Sequence, residues 1–145
     1  MNSLLSFKIS EGVLRALRVS VVNKMCARLP FILWLLALTT VIVGSLLPGA
    51  IAARIPLAAL HLTDKDAHFL MYAVLALLSL LAFERTPTGL MWALGAVPLG
   101  VALEFAQRLV PGRSYEVADM IADALGVCAG LAIAAALRVG KLRAA

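Results

Sequence analysis

Cysteine is scarce in this chain: Cys26 and Cys128 are the only two. One precedes the first apolar segment and the other lies inside the last. They are not expected to meet, so no disulfide framework is implied, and packing is the reading for both. Neither belongs to a CxxC or Cys/His cluster. HExxH is absent, and so is a nucleophile elbow; Ser45 and Ser79 carry no local signature of a nucleophile. No cofactor is implied and no metal site is assigned. A nucleic-acid recognition motif is also missing, so the net charge of +5 does not identify a nucleic-acid partner. There is no long repeat and no low-complexity tract.

Apolar residues are in excess. They make up 63% of the 145 residues, with mean hydropathy +0.99. Soluble domains are nearer half apolar, and a chain this short cannot cover so much apolar surface with itself. A bilayer can. The fold class is therefore all-α: a polytopic membrane protein built as a four-transmembrane-helix bundle.

The first span reads Phe31 to Leu47, uncharged and ended by Pro48-Gly49. Ala50-Ile51-Ala52 resembles a signal-peptide cleavage site, but the apolar stretch is long and more spans follow, so a retained anchor is favoured. The second runs from Ala67 to about Phe83, bounded by Asp66 and Glu84. The third runs from about Pro87 to Phe105 and includes Gly95, Pro98 and Gly100, residues that membrane helices tolerate. The fourth runs from about Val117 to Leu137. Its uncharged part, Ala124 to Leu137, gives only ~21 Å against a hydrocarbon layer of ~30 Å. Asp119 and Asp123 must then lie in the span or at its edge. The domain division is a basic tail over 1–29, a four-helix membrane domain over 30–140 and a C-terminal tail over 141–145. The tail is either a basic amphipathic helix on the inner leaflet or disordered, and Met25 offers an alternative start.

Basic residues set the orientation. Lys8, Arg15, Arg18, Lys24, Arg28, Arg85, Arg138, Lys141 and Arg143 fall on one side, against Arg54, Lys65, Arg108 and Arg113 on the other. The positive-inside rule places both termini in the cytoplasm. The protein is then multi-pass.

The remaining ionisable groups gather toward the opposite, external side. Asp64, Lys65, His68 and Tyr72 open the second span, Glu104 and Gln107 close the third, Arg113 sits in the following loop, and Asp119 and Asp123 open the fourth. At helical rise, His68 stands ~24 Å above the inner edge, Glu104 ~24 Å and Asp123 ~22 Å. Charges at such depth usually face a bundle interior or a water-filled cavity. Asp64, His68 and Tyr72 share one helix face at i, i+4, i+8 spacing. Beside Asp119 and Asp123, the stripe of Ala122, Gly126, Gly130 and Ala134 lets another helix approach closely. Anchoring of helix ends and a structural salt-bridge lock with Arg113 or Arg108 compete with a functional site. Arg113 is the cation expected to fold back over the mouth and pair with the buried carboxylates.

These residues resemble the VanZ-like family of bacterial membrane proteins over about Leu46 to Leu137, plus the preceding anchor. Ser45-Leu-Leu-Pro48, Asp64-Lys65 with His68 and Tyr72, and Glu104 with Gln107 carry the likeness. So do Pro111-Gly112-Arg113 and Asp119, Asp123 and Gly126, with Gly130 beyond. The family often has Asn where Asp123 stands, which leaves open whether a charge is required there. The resemblance implies a bacterial inner-membrane protein of the cell envelope; the founding member is linked to resistance to the glycopeptide teicoplanin.

Three functions fit. The first is an outward-facing polar pocket that binds a lipid headgroup, glycan carrier, cell-wall precursor or glycopeptide-related ligand, with membrane lipids as partners. The second is an intramembrane enzyme, because His68, Glu104, Asp119 and Asp123 are plausible acid/base groups and hard metal ligands. The third is a structural accessory subunit or a small transporter, which would need a homo-oligomer because four short helices form a thin path.

Overall fold

The computed structural model describes residues 28–55, 61–83 and 85–143, with side chains described up to Leu137. The first 27 residues, Cys26, the Glu84 boundary and most of the basic tail used for orientation lie outside these residues. Among the described residues every regular element is a helix. Helix α1 is described over Arg28–Ser45. A single turn, α2 (Gly49–Ala52), follows; then come α3 (Asp64–Ala82), α4 (Thr86–Gln107) and α5 (Val117–Arg143).

Four of these helices are long and apolar enough to cross a membrane: α1, α3, α4 and α5 over Val117–Leu137. The bounds agree with the sequence reading to within a few residues. α1 ends at Ser45 rather than Leu47, and α5 continues beyond Leu137. The outer faces carry exposed Leu36, Met91 and Leu125, as lipid-facing helices do. Where a hydroxyl would otherwise face lipid it bonds to its own helix: Thr39 Oγ1 donates to Leu35 O and Thr40 Oγ1 to Leu36 O, both at 2.8 Å.

Each boundary has a local cause. Thr63 and Asp66 form a capping box at the start of α3, with Thr63 Oγ1 accepting from Asp66 N at 3.2 Å and Asp66 Oδ2 accepting from Thr63 N at 2.8 Å. Asp66 is thereby committed to the helix end. Phe83 turns extended after α3, and Pro87 stands in the first turn of α4, where its missing N–H costs nothing. Pro111 and Gly112 separate α4 from α5; Gly112 takes φ +73°, which a side chain resists.

Small residues then draw the helices together. A Cβ at Gly126 would strike the Phe69 carbonyl oxygen, and one at Gly130 the Ala73 carbonyl oxygen, so α5 rides directly on the α3 backbone. Gly89 brings α4 under the Ser79 carbonyl of α3. Trp34 of α1 joins the bundle by donating Nε1–H to Ser79 Oγ at 2.9 Å, while Ser79 donates to Leu75 O. Around it Phe31, Phe83 and Trp92 pack ring to ring, with Trp34 centroids 5.1 Å from Phe83 and 5.2 Å from Trp92. This aromatic group marks the end of the bundle opposite the polar residues.

Leucine at position 126 or 130 must therefore push α5 off α3. Gly126→Leu and Gly130→Leu are each expected to cost at least about 1–3 kcal/mol, the usual range for overpacking. Gly95→Leu is expected to be tolerated, because nothing lies within 4 Å of the position. Thermal stability of the three variants in detergent checks this; equal melting would remove the glycine stripe as an interface.

Candidate functional site

Three helix ends and one loop meet at the polar end of the bundle. The first turn of α3 brings Asp64, Lys65 and His68, and Tyr72 follows on the same face. The last turn of α4 brings Glu104 and Gln107, and the start of α5 brings Asp119 and Asp123. Glu104, Gln107, Asp119 and Asp123 are buried, each exposed by no more than 4%. Charge in such surroundings must be met by partners.

The partners cross between helices. His68 Nδ1 lies 2.9 Å from Asp123 Oδ1, joining α3 to α5. Lys65 Nζ donates to Glu116 Oε2 at 2.7 Å and stands 3.5 Å from Asp119 Oδ1. Glu104 Oε2 accepts from the Glu116 backbone N–H at 3.1 Å, which fastens the end of α4 to the segment that leads into α5. Three carboxylate oxygens keep no hydrogen bond among the described residues: Glu104 Oε1, Asp119 Oδ1 and Asp123 Oδ2. The space at Gly100 is shared by Asp123 Oδ2 and the Tyr72 hydroxyl, 2.5 and 3.0 Å from where a Cβ would stand.

Glu116 lies just outside the span. Its hydrogen bond from Lys65 holds its carboxyl below the usual range of 4.5. A depressed folded-state pKa means that the bridge contributes above the ordinary value and is lost only as pH falls through the lower one.

Arg113 does not follow the sequence expectation. Its Nη1 is 3.9 Å from Asp64 Oδ2, a half-exposed carboxylate, and the buried carboxylates are answered by Lys65, His68 and a backbone amide. The reason is placement. Arg113 follows Gly112 in the turn and reaches the first residue of α3, while Lys65 already faces α5. Arg108 is also no lock: its guanidinium covers the Tyr115 ring at 4.1 Å and the Phe105 ring at 5.1 Å. Gln107 reaches across to α1, with Nε2 donating to Ser45 O at 3.0 Å. Beside that tie Gly49 N donates to Pro111 O at 3.0 Å, and the Gly49 and Gly112 backbones touch.

A cavity of about 280 Å³ opens against this cluster. Asp64, His68, Tyr72 and Arg113 line one part. Val41, Ala52, Ile55, Ala67 and Met71 line another. The expected residues thus assemble at one end in two layers. Asp64, His68, Tyr72 and Arg113 reach the cavity, while Asp123, bonded to His68, Glu104, bonded to the Glu116 amide, and Asp119, beside Lys65, sit buried behind. Gln107 serves the α1 contact. The sequence reading passed over Glu116, although it stands just ahead of α5; its distance from Lys65 in the chain hid the pairing. The apolar lining from α1 and α2 had no signal other than general hydrophobicity.

The profile of the VanZ/LLP1 family matches residues 7–138. Neither a curated protein nor a solved structure matches the chain.

Lys65 serves two carboxylates and Glu116 one cation, so truncation should be unequal. Lys65→Ala is expected to destabilise more than Glu116→Ala in detergent unfolding. Added salt should shrink the Glu116→Ala effect first, because that pair is solvent-exposed. Equal losses would mean that Asp119 does not depend on Lys65.

Proposed function

The chain belongs to the VanZ/LLP1 family, one linked to glycopeptide resistance, and we propose that this membrane protein holds an amphipathic component of the cell envelope. One observation carries the reading: the cavity joins two chemistries. Val41, Ile55 and Met71 offer a surface for an acyl or prenyl chain, and Asp64, His68, Tyr72 and Arg113 offer charge and hydrogen bonds to a headgroup. Arg113 suits an anionic oxygen such as a phosphate oxygen. The carboxylates suit hydroxyl or ammonium donors. A lipid headgroup, a glycan carrier and a lipid-linked cell-wall precursor share this chemistry.

The polar end faces outward in this reading, with both chain ends in the cytoplasm of a bacterial inner membrane. The excess of Lys and Arg on the side of the termini supports it. The aromatic group of Phe31, Trp34, Phe83 and Trp92 suits the inner membrane–water interface, where amphipathic rings collect. Leu109, 87% exposed in the connection between α4 and α5, is the reporter position. In a chain with Cys26 and Cys128 replaced by Ser, Leu109→Cys is expected to react with a membrane-impermeant maleimide added outside intact cells. Reaction only after permeabilisation would reverse the orientation.

The ligand is tested directly. Protein purified in mild detergent is expected to retain a lipid-linked species identified by mass spectrometry. Arg113→Ala and Tyr72→Phe, both at residues that line the cavity, should each reduce its retention several-fold at unchanged membrane levels. Equal retention by both variants, or loss of retention only together with loss of folding, would replace the binding site by a structural lock. A second reading, an intramembrane enzyme, draws on the oxygens of Glu104, Asp119 and Asp123 that hold no hydrogen bond beside His68. Conversion of the retained species on incubation would favour it.

A further inference from the structure

The polar end is unevenly charged. Among the described residues, the ion-pair partners of Asp64, Glu116, Asp119 and Asp123 are Lys65, Arg113 and His68, and Glu104 is met by a backbone amide. Lys65 is drawn toward Glu116, at 2.7 Å, and lies farther from Asp119, at 3.5 Å. Arg113 reaches Asp64 only at 3.9 Å. An excess of carboxylate in a low-dielectric setting favours a compact divalent cation over further long side chains.

The donors for one are at hand. Asp64, His68 and Asp119 each present a ligand atom, and these atoms all lie within 4.8 Å of one another. Asp119 is 4% exposed, and its Oδ1 has no hydrogen bond. His68 has one ring nitrogen engaged, Nδ1 with Asp123 Oδ1, which leaves Nε2 for a metal. A carboxylate on the far nitrogen of a ligating histidine fixes its tautomer and orientation, and such outer partners recur in metal sites. Asp123 stands in that position.

We propose that Asp64, His68 and Asp119 bind one divalent transition-metal ion, with Asp123 as the positioning residue behind His68. One imidazole and two carboxylates suit Zn²⁺ or Mn²⁺ better than Ca²⁺ or Cu⁺. Three protein ligands leave coordination positions free. His68 and Asp64 line the cavity, so a free position there is open to an oxygen of a bound headgroup. That last role rests on the proposed lipid function; binding of the ion does not.

The test uses the full chain without a polyhistidine tag, purified in detergent, stripped with chelator and titrated with Zn²⁺ alone, no lipid being added. The expected result is one ion per chain by elemental analysis and calorimetry. His68→Gln and Asp119→Asn should each weaken binding by at least about 100-fold, and Asp123→Asn by about 10–100-fold. His61→Ala and Cys128→Ser should bind as the native chain does. Should a variant fail to fold, the native chain loaded with Mn²⁺ gives the answer by itself. Pulsed electron paramagnetic resonance should detect coupling to one imidazole nitrogen. Substoichiometric Zn²⁺, binding unchanged in His68→Gln, or Mn²⁺ without nitrogen coupling would overturn the site. Because no lipid enters these measurements, their failure would leave the retention of an envelope lipid to be judged separately.

Discussion

The backbone contact between α3 and α5 is the constraint from which the rest of the molecule follows. Gly126 and Gly130 lie under the carbonyls of Phe69 and Ala73, so the two helices run closer than side chains would permit. Only at that spacing can the short side chain of Asp123 reach the His68 ring. Lys65 likewise serves Asp119 and Glu116 from the neighbouring helix because no bulk intervenes. In a bilayer, lipid tails are as apolar as leucine and do not drive helices together. Close packing and interhelical polar contacts must supply the association, and here the two reinforce each other.

The same contact creates a problem of charge. Burying Glu104, Asp119 and Asp123 at a membrane helix end carries a desolvation cost that lipid cannot offset. The chain answers with a histidine, a lysine shared between two carboxylates and a backbone amide, and still leaves three oxygens without hydrogen bonds. Replacing such buried charges by apolar residues of similar volume is often neutral or stabilising, so the proposed ligand, and not packing, is the reason offered for these carboxylates.

Much of this was legible in the sequence because membranes simplify the reading. Four apolar runs of spanning length gave α1, α3, α4 and α5 nearly to their ends, since backbone groups in lipid leave few alternatives to helix. The i, i+4, i+8 spacing put Asp64, His68 and Tyr72 on one face, and counting residues from the opposite edge put Glu104 and Asp123 level with them. Rotation about each helix axis was not legible to the same degree. Periodicity shows that residues share a face without showing which neighbour they meet. Thus the sequence points Arg113 at the buried carboxylates, whereas its ion-pair partner is Asp64. Spacing places Gln107 beside Glu104 but does not show that it donates to Ser45 O of α1. Glu116 and the single turn α2 went unread because their positions depend on the loops, whose geometry is fixed by tertiary contacts.

The contact between Gly49 and Gly112 joins two connections that are far apart in the chain, one after α1 and one after α4. A Cβ at position 49 would strike the Gly112 carbonyl, and a side chain at position 112 would be strained by the positive φ. The two loops are consequently not free to drift apart in evolution. A lengthened or bulkier connection on one side would demand a matching change on the other, so positions 49 and 112 should co-vary among descendants of this fold.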